Sequence, residues 1–181
     1  MNIGFDLDKI FIDYPPLVPD YIIEWLYKKK ANGVLLYRIP PKVEQWFRIL
    51  THHPILRPPI SKNIEFVRKK ASKNSDGCYY LISSRFGFLR NRTNEIIQRY
   101  NFNKIFDAMF FNFANDQPHI FKKRFVKKLK LDYYVDDDLP LLHFLVKDIP
   151  KTKFFWLNKK DHKSIKKNLT AITHISQMFN K

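Results

Sequence analysis

Ile3-Gly4-Phe5-Asp6-Leu7-Asp8 is an apolar run that ends in two carboxylates, one residue apart. Because side chains alternate between the two faces of a strand, Asp6 and Asp8 project on the same side and can reach one metal ion or one substrate. A second apolar run, Tyr133-Tyr134-Val135, leads directly into Asp136-Asp137-Asp138. The sequence therefore predicts two strands that deliver carboxylates to one site.

The order of the remaining segments predicts the fold class. Helical patterns separate nearly continuous apolar runs, which are typical of strands in a parallel sheet that is covered on both faces. This alternation predicts an α/β fold with a doubly wound, mainly parallel, five-stranded Rossmann-like sheet and a site at the carboxyl ends of its strands. The predicted strands are residues 2–8, 78–83, 105–111, 132–136 and 153–157, and the predicted helices are 92–100, 119–131, 139–146 and 164–179.

A long segment without a clear strand separates the first strand from the second, and it exceeds the usual length of a loop. Proline-bounded patterns predict helices at residues 21–30 and 43–50, and residues 60–71 are predicted as the helix that returns the chain to the sheet. We expect residues 15–56 to form a small helical cap on a core of residues 1–14 and 57–181. Arg38 and Arg48 in this cap are candidate specificity residues, because a guanidinium can bind a second phosphate.

The charge of the chain points to its ligands. With 33 Lys and Arg against 17 Asp and Glu, the net charge of +16 favours phosphate-rich ligands or nucleic acid. The alternative is that lysine runs such as residues 28–30 and 166–167 are solvated helix faces. The single Cys78 excludes an internal disulfide and a cysteine-based zinc site, which fits a cytoplasmic location. No stretch approaches the ~18 apolar residues of a membrane span, so no membrane partner is expected.

Four elements that suit phosphoryl transfer occur in order along the chain. They are Asp6-x-Asp8 after a strand, Ser83 after an apolar run, Lys122 on a helix, and Asp136-Asp137 after a strand. A phosphate dianion repels nucleophiles, so a site for phosphoryl transfer needs positive charge, an in-line nucleophile and donors to the non-bridging oxygens. With only four glycines the chain has no phosphate-binding glycine loop, and its histidines show no metal-ligand spacing. Singly, each element has an ordinary explanation, such as an aspartate that caps a helix.

Together, the motifs Phe5-Asp6-Leu7-Asp8, Leu81-Ile82-Ser83-Ser84-Arg85, Lys122 and Val135-Asp136-Asp137 resemble those of the haloacid dehalogenase (HAD)-like superfamily of phosphohydrolases. The resemblance covers most of the chain. Ser83-Ser84-Arg85 followed by residues 91–97, and the spacing of Lys122 from Asp136, are most similar to the 5′(3′)-deoxyribonucleotidase-like branch.

The resemblance implies roles for the carboxylates. Asp6 would attack the phosphorus and form an aspartyl-phosphate, and Asp8 would serve as acid and base. Mg²⁺ would be held by Asp6, Asp136 and the backbone carbonyl of Asp8. The spacing favours Asp136 over Asp137 as the direct ligand, so Asp137 would act through water or by supporting another ligand.

The resemblance also implies which groups bind the phosphate. The Ser83 hydroxyl and the Ser84 backbone N–H would donate to its oxygens, while Lys122 would add positive charge. Arg85 would anchor the following loop or contact the substrate. One departure from the family pattern is Lys9, where many members have glycine, so the turn after Asp8 must accommodate a long side chain or change its conformation.

The resulting hypothesis is a Mg²⁺-dependent phosphomonoesterase that acts on nucleoside monophosphates or another small phosphorylated metabolite. A phosphatase of nucleic-acid ends is the alternative that the charge favours. A third hypothesis, from a different functional class, is a catalytically inactive basic module that binds nucleic acid or protein.

Overall fold

The centre of the molecule is a six-stranded sheet in which every neighbouring pair of strands is parallel. The computed structural model describes residues 1–15, 28–31, 34–73, 77–158 and 168–179. The strands of this sheet are β1 (Asn2–Phe5), β4 (Cys78–Ser83), β5 (Ala108–Phe111), β6 (Tyr133–Asp136), β7 (Lys153–Leu157) and β8 (Leu169–Ile172), in the spatial order β5-β4-β1-β6-β7-β8.

This spatial order is of the Rossmann type. Counted along the chain, the six strands lie in the order 3-2-1-4-5-6, and the direction of winding reverses between β1 and β6. The carboxyl ends of strands on either side of such a reversal leave a crevice between them, and ligands bind there in open α/β sheets. The predicted α/β class and parallel sheet are therefore confirmed, and the crevice lies where Asp6 and Asp136 end their strands.

The described ranges contain five α-helices, and the last four of them cover the two faces of the sheet: α1 (Lys42–Thr51), α2 (Ser61–Lys73), α3 (Arg90–Arg99), α4 (Pro118–Lys128) and α5 (Leu139–Asp148). On one face, buried side chains of α2 and α3 such as Val67 and Ile96 pack with Phe5 of β1. On the other face, Val126 of α4 and Leu142 of α5 share a second cluster. Of the described helices, none is long and apolar enough to cross a membrane.

The sheet has one strand more than the five that the sequence predicts. Residues 169–172 pair with β7 as strand β8, and a 3₁₀ helix follows at Ile175–Phe179, so the predicted helix at 164–179 is wrong over the part that the structure describes. Ile172, Ile175 and Met178 are all buried. Their spacing of three residues imitates the apolar face of a helix, although it arises from a strand end and a 3₁₀ turn.

The segment between β1 and β4 contains an antiparallel hairpin, β2 (Lys28–Ala31) and β3 (Val34–Tyr37), followed by α1. The predicted helix at 21–30 is wrong at its end, where β2 lies; residues 21–27 are outside the described part. The helix predicted at 43–50 is confirmed as α1. A division into a cap at 15–56 and a core of 1–14 and 57–181 stays a prediction.

Candidate functional site

The register of three central strands brings the predicted carboxylates together. Phe5 of β1 lies level with Leu81 of β4 on one side and with Val135 of β6 on the other. The next residues along β1 and β6 are therefore neighbours, and the Asp6 N–H donates a 3.0 Å hydrogen bond to the Val135 carbonyl. Asp6 and Asp136 meet at the point where the winding of the sheet reverses.

Lys122 on α4 joins these two carboxylates. Its Nζ lies 2.9 Å from Asp6 Oδ1 and 2.6 Å from Asp136 Oδ2, and all three side chains are buried. The Tyr134 hydroxyl donates to the same Asp136 oxygen at 2.9 Å, while the Asp138 N–H donates to Asp136 Oδ1 at 3.0 Å. These contacts fix the orientation of the Asp136 carboxylate.

The same cluster shifts the pKa values of its members. Burial, opposed by the Lys122 charge, raises the pKa of Asp6 to about 7, and the negative charges of Asp136 and Asp8 add to the rise. Burial and the charges of Asp136 and Asp6 raise the pKa of Asp137 well above its ordinary value. Burial alone would lower the pKa of Lys122, but Asp136 and Asp6 hold it well above its ordinary value, so the ammonium stays charged.

Three carboxylates form a set that fits a divalent cation. Oxygen atoms of Asp6, Asp136 and Asp137 all lie within 4.8 Å of one another. One ammonium offsets only part of their charge, and hard cations such as Mg²⁺ prefer carboxylate oxygens. The Asp137 carboxylate makes no ion pair within the described ranges, whereas its backbone carbonyl accepts a hydrogen bond from Trp156 Nε1 at 2.9 Å. Its side chain is therefore available to a cation.

The Asp8 carboxylate belongs to a different arrangement, because two arginines bind it. Arg85 donates to Asp8 Oδ2 from Nε at 2.8 Å and to Oδ1 from Nη2 at 2.7 Å, and Arg57 also donates to Oδ1. Burial by itself would raise the pKa of Asp8, but the two guanidiniums hold it well below its usual range. The carboxylate of Asp8 thus lies outside the acidic cluster, and metal binding by its backbone carbonyl stays a prediction.

The turn after Asp8 keeps a conformation that favours glycine although Lys9 occupies it. Lys9 has φ of 60°, in the left-handed region, and its N–H donates to the Ile12 carbonyl at 2.8 Å. Its Nζ lies 3.4 Å from Asp13 Oδ1 and 4.2 Å from the centre of the Tyr14 ring. The long side chain is accommodated by these contacts, and the backbone turn is not rearranged.

Two neighbouring serines have buried hydroxyls that lack a hydrogen-bond partner among the described residues. Ser83 ends β4 and Ser84 follows it. Buried hydroxyls usually have partners, so an unsatisfied hydroxyl beside a cavity is a candidate donor to a ligand. The side chain of Ser84 lines the cavity described below, next to Asp6 and Lys122.

A cavity of about 570 Å³ opens above the carboxyl ends of the strands. Its floor includes Asp6, Asp8, Lys122, Asp136 and Asp137. Arg85, a candidate specificity residue, lines the cavity, whereas Arg38 and Arg48 do not. Arg38 and Arg48 both form ion pairs with Glu44, and Arg38 Nη2 lies 2.7 Å from Glu44 Oε2. The structure therefore does not bring these two arginines to the site.

No protein-family model and no curated protein matches this sequence. Its fold is similar to that of a chain in a solved structure of the Pnkp1/Rnl/Hen1 RNA repair complex, with a TM-score of 0.53 and 16% sequence identity. The match covers 88% of this chain and 43% of that chain, so this chain spans less than half the length of its neighbour. The likeness concerns the α/β fold.

Several residues that line the cavity were not singled out from the sequence, although Tyr37 was a specificity candidate as an aromatic residue of the predicted cap. Arg57 reaches Asp8 from a proline-rich stretch that has no recognisable motif. Tyr37 ends β3, and its hydroxyl donates to Asp138 Oδ2 at 2.8 Å. The Asp138 carboxylate also accepts a hydrogen bond from the Leu141 N–H and caps α5, so its contacts serve the fold. The other lining residues in this group are His52, Trp156, Asn158, Thr173 and His174.

Proposed function

We propose that this protein is a divalent-cation-dependent phosphomonoesterase that forms an aspartyl-phosphate, an acyl phosphate, on Asp6. The observation that carries the proposal is the position of the Asp6 carboxylate, at the switch point of the sheet, facing a cavity and 2.9 Å from the Lys122 ammonium. A nucleophile, a fixed positive charge and unsatisfied hydroxyl donors together meet the requirements of phosphoryl transfer.

In the first step an oxygen of Asp6 attacks the phosphorus, and the bond from phosphorus to the leaving oxygen breaks with its electron pair on that oxygen. Lys122 offsets the negative charge on the phosphoryl oxygens, and Ser83 and Ser84 donate hydrogen bonds to them. Mg²⁺ held by Asp6, Asp136 and Asp137 would reduce the repulsion between the carboxylate and the incoming dianion. The leaving oxygen takes a proton, a role that the family resemblance assigns to Asp8.

In the second step water attacks the phosphorus, its proton passes to Asp8, and the bond to Asp6 breaks to release inorganic phosphate. Arg85 and Arg57 keep Asp8 in the carboxylate form, which is the form that can receive a proton, and they lower its basicity at the same time. A carboxyl group with a lowered pKa is seldom protonated at rest, although it donates readily once it is.

Nucleoside monophosphates are the substrates that we propose first. The aromatic side chains of Tyr14, Tyr37 and Trp156 line the cavity, and its volume of about 570 Å³ is within the range of small-ligand sites. Phosphorylated ends of nucleic acid are the second candidate. They are supported by the net charge of +16 and by the likeness to a chain from an RNA repair complex.

The test is phosphate release from p-nitrophenyl phosphate, nucleoside monophosphates, and 5′- and 3′-phosphorylated oligonucleotides, with Mg²⁺ or with EDTA. We expect turnover with Mg²⁺ that is lost in EDTA and in Asp6→Asn. Asp116→Asn is the matched control, because Asp116 pairs with the exposed Arg124. No turnover of any substrate by the wild type would refute the proposal and favour a binding module. Steep loss of oligonucleotide turnover with added salt would favour the polymer substrate.

A further inference from the structure

Two buried guanidiniums converge on the single carboxylate of Asp8. We propose that Arg57 and Arg85 are positioning residues that fix the orientation of Asp8 for proton transfer, an inference that rests on the proposed function. Arg57 precedes α2 and Arg85 follows β4, so the two side chains approach from different parts of the fold. Both line the cavity, as does Asp8 itself.

The hydrogen bonds define the orientation of the carboxylate. Arg85 uses two nitrogens, one for each Asp8 oxygen, at 2.8 and 2.7 Å, which is the parallel fork geometry that holds a carboxylate plane. Arg57 adds a bond to Oδ1 alone. Oδ1 therefore accepts two hydrogen bonds and Oδ2 accepts one, so the two oxygens are not equivalent.

The backbone around Arg57 is itself anchored. The Tyr100 hydroxyl donates to the Arg57 carbonyl at 3.2 Å. Next to it, the Asp13 N–H donates to the Pro58 carbonyl at 2.8 Å and the Ile60 N–H donates to the Phe11 carbonyl at 2.7 Å. These bonds tie the stretch that carries Arg57 to the turn that carries Asp8, so the guanidinium and its partner keep a fixed relation.

A purely structural ion pair does not explain this arrangement. The side chains of Arg57 and Arg85 are only 2% and 3% exposed, and burying a guanidinium is costly unless an opposite charge compensates it. Here the two guanidiniums share one carboxylate, at a cavity that Ser84 also lines. A group that transfers protons needs neighbours that hold its orientation, and hydrogen bonds from two buried arginines provide this for the Asp8 carboxylate.

The effect of substituting Arg57 or Arg85 on turnover should depend on the leaving group of the substrate. A weakly basic leaving group such as p-nitrophenolate departs with little need of a proton, whereas phenolate needs one. Arg57→Lys and Arg85→Lys keep the charge but lose the fork geometry. We expect each variant to lower kcat/KM for phenyl phosphate at least ~10-fold more than for p-nitrophenyl phosphate. We also expect a burst of p-nitrophenol, because activation of water for the second step is impaired.

The control is Arg124→Lys, at an exposed ion pair with Asp116, which should match the wild type with both substrates. Equal losses for phenyl and p-nitrophenyl phosphate without a burst, or no loss at all, would overturn the positioning role. If one lysine variant fails to fold, the other decides the question by the same two readouts. Absence of turnover by the wild type would instead refute the proposed function, so the two failures are distinct.

Discussion

The Lys122 ammonium lies 2.9 Å from the Asp6 carboxylate, at the carboxyl edge of a parallel sheet where the winding reverses. The same Nζ lies 2.6 Å from Asp136, which places one positive charge between two buried negative ones. Because Asp137 adds a third carboxylate within 4.8 Å, the cluster has an excess of negative charge. A divalent cation can balance it.

Lys122→Met should destabilise the metal-free protein by about 3 kcal/mol, because it leaves buried carboxylates without their counter-charge. Mg²⁺ should recover part of this loss by binding the folded state. Phosphatase activity should fall at least ~100-fold. The control is Lys123→Met at a half-exposed ion pair with Asp148, which should cost less than about 1 kcal/mol. Urea denaturation in EDTA measures the free energy of unfolding of both variants. A Lys122→Met protein as stable as the wild type would contradict the pairing of Lys122 with buried carboxylates.

The metal-free protein should lose a component of its stability as pH rises from about 4 to about 7. The pKa of Asp6 is about 7 in the folded protein against an ordinary 3.8, so in this window the folded state keeps a proton that the unfolded chain has released. This contribution is fully present below pH 3.8 and is lost as pH rises through 7, with a slope of at most about 1.4 kcal/mol per pH unit.

The measurement is the difference in unfolding free energy between the wild type and Asp6→Asn, taken in EDTA across this range. His52, whose pKa is lowered by burial and by Arg57 and Arg85, contributes with the opposite sign, but it is common to both proteins. A difference that stays flat with pH, or rises, would contradict the raised pKa of Asp6.

Tyr37→Phe should lower the free energy of unfolding by about 2 kcal/mol. The buried Tyr37 hydroxyl donates to a carboxylate, Asp138 Oδ2, at 2.8 Å, and hydrogen bonds to charged groups are stronger than neutral ones. Burial and Asp138 also raise the pKa of Tyr37, so the hydroxyl stays a donor. Tyr133→Phe, whose ring packs edge-on against Phe155, is the control and should change stability by less than about 0.5 kcal/mol. Equal effects in thermal denaturation would count against the Tyr37–Asp138 contact.

Substitutions of Lys9 should reveal its left-handed backbone. Lys9→Gly relieves the backbone strain at φ of 60°, which stabilises the folded state. The substitution also removes the ion pair to Asp13 and increases the entropy of the unfolded chain, and both changes destabilise the fold. We therefore expect a free energy of unfolding within about 0.5 kcal/mol of the wild type. Lys9→Val should cost about 2 kcal/mol, because a β-branched residue is strongly disfavoured in this region. Chemical denaturation gives both values. Lys9→Val as stable as the wild type would exclude the left-handed turn.

The central part of the site could be predicted from the sequence because it depends on strand ends. Asp6, Ser83 and Asp136 each follow a continuous apolar run, and parallel strands in register bring their carboxyl ends to one edge. Lys122 follows from its place on the helix before β6. The α/β class follows from the same alternation of strands and helices.

The parts that the sequence did not predict depend on tertiary contacts. Arg57 lies among prolines, without periodicity, and only the folded chain brings it to Asp8. Arg48 has the same chemistry but is buried against Glu44, four residues earlier on its own helix, and this i,i+4 spacing was the signal in the sequence that could have indicated the pairing. β8 is short and its buried residues mimic a helical spacing, so propensity and periodicity favoured the wrong element.

Phosphorylation of Asp6 can be tested by trapping the intermediate. Protein mixed with a ³²P-labelled phosphomonoester that it turns over is quenched in acid within one turnover, digested, and analysed for labelled peptides. The account predicts hydroxylamine-sensitive label on the peptide that contains Asp6, and none on Asp6→Asn. Turnover without label on this peptide, or label that persists in Asp6→Asn, would contradict it.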